Sequence, residues 1–155
     1  MSINTGIDKN SLSKTVQGLS ELLADSYTLY LKTHNYHWNV TGPQFTSLHQ
    51  MFEEHYTELA TAVDVIAERI RALGAFAPGS YSAFANLTAI EEAGEQLDAT
   101  GMVKDLLDGH ETLVRRARTV LQSEALEADD VSGDLLTQRL DVHEKTAWML
   151  RALLG

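Results

Sequence analysis

Cysteine is absent from this 155-residue chain. That removes a disulfide framework and argues against a thiolate zinc site or an iron–sulfur cluster. Proline occurs only twice, at Pro43 and Pro78, and strand-like alternation is scarce, so an all-α fold is expected. No apolar run reaches the ~18 residues that a membrane span needs. The chain does not open with a charged region, an apolar stretch and a cleavage site. A cytoplasmic location with no membrane partner is the expectation.

Positive charge is also scarce. Twelve Lys and Arg stand against 22 Asp and Glu, a formal net charge of −10. Such a surface repels nucleic-acid phosphate and attracts cations. The polar lead 1–10, MSINTGIDKN, carries Lys9 with Asp8 beside it, and Lys14 follows just inside the first helix. Two lysines do not make a phosphate-gripping tail, and the last helical pattern runs to Leu154-Gly155. Direct DNA binding is not expected, unless Mg²⁺ or a partner bridges it.

The chain has the length and the 44% hydrophobic content of one domain, 1–155, with a real core. Apolar residues recur at three and four over about Ser11–Asn39, Gln44–Leu73, Gly101–Ser123 and from about Asp130 to Leu153. Asn10, Ser11 and Ser13 are candidate caps for the first helix, and Gly42-Pro43 stops it. Leu31 is expected on its core stripe, and Leu154 in the core of the last helix. Ser80–Leu87 reads as a short helix inside a long crossover. A crossover is required if the second and third long helices run parallel.

The stretch 34–74 concentrates the chemistry, with four of the six histidines. On the second helix His49, Glu53, Asp64 and Glu68 lie within an arc of about 100° at 100° per residue. They make one stripe of metal-ligand residue types. Yet Glu53 and Asp64 are about 16 Å apart along the axis, whereas metals sharing ligands sit roughly 3.5–4 Å apart. One chain cannot close one site with all four. A two-fold partner can. The pairs His49/Glu68 and Glu53/Asp64 have the same sum of residue numbers. An antiparallel, isologous pairing of this helix therefore sets His49 and Glu53 of one copy against Glu68 and Asp64 of the other, twice. His37, just before the Gly-Pro break, folds back toward His49 if a hairpin forms there. Two imidazoles and three carboxylates suit iron and other divalent first-row metals. The plain alternative is a solvated helix face with ordinary i,i+4 pairs.

These residues sit in a longer pattern: H-W-N-V-x-G-P-x-F-x-x-L-H-x-x-F-E over His37–Glu53, then D-x-x-A-E-R-I-x-x-L-G over Asp64–Gly74. That pattern, with the chain length and helix layout, resembles the Dps family, the miniferritins named as DNA-binding proteins from starved cells. The resemblance implies a ferritin-like four-helix bundle with a short helix in the crossover, assembled as a hollow homo-dodecamer. It implies a ferroxidase that oxidises Fe(II) with hydrogen peroxide or oxygen between two-fold-related subunits and stores ferric oxide in the cavity. It carries iron ligation onto His37, His49 and Glu53 of one chain and Asp64 and Glu68 of the other. Trp38 would lie beside the iron. Asp129, Asp130 and Asp134 would line pores that admit Fe²⁺; on composition alone, Asp129 or Asp130 is a helix cap. Glu53 departs from the family, where Asp is commoner, and its longer arm could shift or weaken the second iron.

Two other readings compete. A nucleoid-binding protective protein with little catalysis needs basic tails, which are lacking. A bundle with its di-iron site inside one subunit needs Glu-x-x-His pairs, and no histidine here has Glu three residues before it. His34 reads as a core or supporting group, His55 as a surface or interface group, and His110 and His143 as packed. Glu58 and Arg69 read as solvent or interface charges, and Arg115, Arg116 and Arg118 as a salt-bridged cluster.

Overall fold

Asp8 starts the first helix. In the computed structural model, which describes residues 2–155, its carboxylate accepts from the backbone N–H groups of Asn10 (2.9 Å) and Ser11 (3.0 Å). The cap thus lies before the expected Asn10, Ser11 or Ser13, and helix α1 runs over Lys9–Asn39. Helix α2 spans Phe45–Ala72, α3 Tyr81–Leu87, α4 Ala99–Leu121 and α5 Asp130–Leu154, with one 3₁₀ turn at Glu124–Leu126. Ser80, Asp98 and Asp129 cap α3, α4 and α5 through side-chain oxygens. Among the described residues there is no strand, so the all-α reading holds.

Gly42 makes the turn between α1 and α2 at φ +107°, a left-handed conformation open chiefly to glycine. The two helices then run antiparallel: His37 meets His49, and two turns on Tyr30 meets Tyr56. Helix α4 is antiparallel to α1 as well, since Gly18 faces Val120 and Gly109 faces Leu29. Helices α2 and α4 are therefore parallel, which is why the crossover exists. Asp25 of α1, fully buried, holds its far end. Its Oδ1 accepts from Thr88 Oγ1 (2.8 Å), the Ala89 N–H (2.8 Å) and Arg116 Nη1 (3.1 Å). Burial pushes the Asp25 pKa up despite these donors.

The core is apolar and drawn from all four long helices: Leu19, Leu23 and Leu29, then Phe52, Leu59, Ile66 and Ile70, then Leu106 and Leu113, then Leu136 and Leu150. Each such side chain contributes about 1.5–3 kcal/mol by leaving water. Leu31 and Leu154 depart from the expected core, being exposed by 46% and 36%. Leu31 lies about 80° round the helix from Leu23, and Leu154 ends the last turn.

The backbones of α2 and α5 come close at far fewer points than those of α1 with α2 or α4 with α5. Long polar side chains span this wider seam. Arg139 makes a two-pronged pair with Glu58, and Arg69 reaches Asp129 (2.6 Å) and Ser132 Oγ (2.9 Å). Glu58 and Arg69 are thus internal ties rather than free charges. Asp129→Ala removes both a cap and the partner of a half-buried guanidinium. The urea midpoint should fall by the equivalent of about 2–3 kcal/mol. Asp129→Asn, which keeps an N-cap acceptor, should lose about half as much; equal losses would mean that the cap contributes nothing.

Candidate metal centre

Two histidines meet where α1 ends and α2 begins. The rings of His37 and His49 stack at 3.8 Å between centroids, 14° from parallel. Each Nδ1 lies 2.7 Å from the other residue's backbone carbonyl oxygen. A carbonyl only accepts, so each Nδ1 is the donor and carries the ring proton in the neutral imidazole. Both Nε2 atoms are then left with a free lone pair. This is the orientation that supporting hydrogen bonds give to metal-ligating histidines. His37 is buried and His49 half-buried.

Aromatic side chains frame the pair. Phe45 stacks on His49 at 5.0 Å, and Tyr56 meets His37 edge-on at 5.1 Å. Tyr56 belongs to no ligand motif, but it stands seven residues, two turns, after His49 and so shares its stripe. His34 lies between Trp38 (3.9 Å) and Tyr56 (4.2 Å). Burial, and then the nearby His37, hold its pKa below the usual histidine value. His34 supports the pair by packing. Trp38 sits next to it with 59% of its surface exposed.

Glu53, Asp64 and Glu68 are all exposed along α2. Among the described residues none of the three has an ion-pair partner within the subunit. Nor do three or more His, Asp or Glu come together as a metal-holding group in one chain, among the described residues. The subunit thus brings His37 and His49 together and leaves the carboxylates open on the same helix.

The acids assigned to a pore separate into two kinds. Asp130 and Asp134 are exposed. Asp129 is 2% exposed and is taken up by the α5 cap and Arg69. Within the subunit its carboxylate is thus committed to a cap and a guanidinium rather than left as a free charge.

Comparison with known proteins fits this architecture. The ferritin-like domain family matches residues 16–155. The DNA protection during starvation protein 2 of Bacillus anthracis is 38% identical over 142 residues, covering 92% of this chain and 97% of that one. The chain belongs to the Dps family. Another relative of this Dps protein, a low temperature-induced protein of Nostoc, is 44% identical over 154 residues, with 98% and 86% covered. The crystal structure of the Dps protein of Vibrio cholerae superposes with a TM-score of 0.93 at 33% identity, covering 100% and 98%. That protein is described as a member of a broad superfamily of ferritin-like diiron-carboxylate proteins. Among the described residues of this Dps chain, no helix is long and apolar enough to cross a membrane.

Proposed function

We propose that this protein is a ferroxidase and iron-storage cage whose oxidation sites form between two-fold-related subunits. The observation that carries this is the reciprocal His37–His49 bonding, which frees two Nε2 lone pairs at one end of a helix that also bears the open carboxylates Glu53, Asp64 and Glu68. His37, His49 and Glu53 of one copy take Fe(II) as substrate together with Asp64 and Glu68 of its partner. The exposed apolar side chains Phe76 (86%), Tyr81 (78%), Val131 (62%) and Trp148 (61%) are available for contacts between subunits. The family's dodecamer is the assembly proposed. Twelve chains of −10 each would carry a formal charge of about −120, which draws Fe²⁺ toward the shell. Asp130 and Asp134 are the acids at the entry.

The chemistry follows from the donor set. Carboxylates stabilise the harder Fe³⁺ product and so favour loss of the electron. Two irons give two electrons to one hydrogen peroxide. Its O–O bond breaks, two protons are taken up, and two waters leave instead of a hydroxyl radical. Oxygen is the alternative oxidant. Ferric product then moves into the cavity and mineralises as ferric oxide. Anaerobic Fe(II) titration of the assembled protein, followed by peroxide, tests this by absorbance and native mass. About two irons oxidised per subunit, retained on the cage, are expected. Oxidation no faster than in buffer would end the reading. Direct DNA binding is not part of the proposal: a mobility shift without Mg²⁺ should be weak and should vanish as salt rises.

A further inference from the structure

A second group of histidines lies away from the α2 stripe, on the bundle axis. His55 comes from α2, His110 from α4, and His143 with Arg139 from α5. His110 and His143 are 2% and 0% exposed. A guanidinium only donates hydrogen bonds. Arg139 Nη2 lies 3.0 Å from His143 Nε2 as well as 3.0 Å from Glu58 Oε2. His143 Nε2 therefore accepts, and the proton of this neutral ring sits on Nδ1. His143 Nδ1 is 2.8 Å from His110 Nδ1, so it donates there. The proton of His110 is thereby placed on Nε2. Burial, which holds both pKa values far below the usual histidine range, agrees with neutral rings.

That assignment leaves His110 Nε2–H pointing at nothing. It is buried without a hydrogen-bond partner, and so is His55 Nδ1. The two rings face each other edge to face, 6.3 Å between centroids. Ser26 Oγ of α1 is also buried without a partner. It lies one turn before Leu29, whose side chain meets Gly109 beside His110. Buried polar atoms are costly when unpaired, and interior polar gaps are where ordered water sits, given two to four partners.

We propose that the bundle axis binds one ordered water molecule between His110 Nε2 and His55 Nδ1. His110 donates to the water, and the water donates to His55. The chain of bonds Glu58–Arg139–His143–His110–water–His55 then ties α2, α4 and α5 together. A metal ion does not fit the same place. The bond from Arg139 fixes the His110 proton on the nitrogen that would have to ligate, and the guanidinium repels a cation. This inference is independent of the ferroxidase reading.

A crystal structure of the assembled full chain, at a resolution that shows single waters, tests the proposal. The expected result is one peak within hydrogen-bond distance of both nitrogens, with no anomalous signal at the iron or zinc edge. His55→Phe should abolish the peak and lower the melting temperature by several degrees, while Arg139 stays on Glu58. An empty gap, a direct nitrogen–nitrogen bond, an anomalous peak, or a peak that persists in His55→Phe would each overturn it.

Discussion

Cages co-assembled from equal amounts of His49→Ala and Glu68→Ala subunits should oxidise Fe(II) at about a quarter of the wild-type rate, although cages of either variant alone should be nearly inactive. The fraction follows from two-fold symmetry. Each dimer has two sites, and each site takes His49 from one copy and Glu68 from the other. In a mixed dimer both lesions fall in the same site, and the second site is intact. Random pairing makes about half of the dimers mixed, so about one site in four is whole. The single variants should lose on the order of 10²-fold or more, since weakening even a supporting contact of a metal site costs 10–100-fold. The lesions leave the fold alone: Glu68 is exposed and His49 is half-buried at the helix start. Native mass should therefore show intact cages in every sample. Mixed cages no faster than the single variants would place all five ligands within one chain, and wild-type rates in His49→Ala would remove it from the site.

Why that dimer could be argued from one chain's sequence is a matter of helix geometry. A helix fixes which residues share a face, so the stripe His49–Glu53–Asp64–Glu68 needed only the period of 3.6. The Gly42-Pro43 break fixed the hairpin that returns His37 to His49. The long crossover is what a parallel α2 and α4 require, but the parallel relation itself rests on the contacts of each helix with α1. Long-range polar choices were not legible. Arg69 and Glu58 have the spacing of surface charges on α2, and nothing local says that Asp129 and Arg139 will meet them across the seam. Asp129 satisfied two descriptions, cap and pore acid, and only its burial separates them. The tautomers of His37 and His49 depend on carbonyls twelve residues away. Periodicity is silent on that.

The same long-range contacts make stability steeply dependent on pH. His110 is buried, and its pKa is lowered to about 3, first by burial and then by His55 and Arg139. His143 is lowered well below the ordinary value by burial first, then by His110 and Arg139. In the unfolded chain both titrate near 6.5. Below that pH the unfolded state binds protons that the folded state refuses, so stability falls as pH falls. The loss begins near pH 6.5 and continues down to about 3 for His110. His110 contributes about 1.4 kcal/mol per pH unit across this window. His110 alone should remove roughly 2 kcal/mol between pH 7 and pH 5, against a typical total of about 5–15 kcal/mol, and His143 adds to the loss in the same direction. Urea midpoints at pH 7 and pH 5, read by tryptophan fluorescence at fixed protein concentration, measure it. Replacing the pair together, as His110→Leu with His143→Leu, leaves Arg139 on Glu58 and removes both titrating rings. The double variant should melt with a markedly shallower pH dependence, whatever its stability at pH 7. An unchanged slope would mean that the buried pair takes up its protons without opening the bundle.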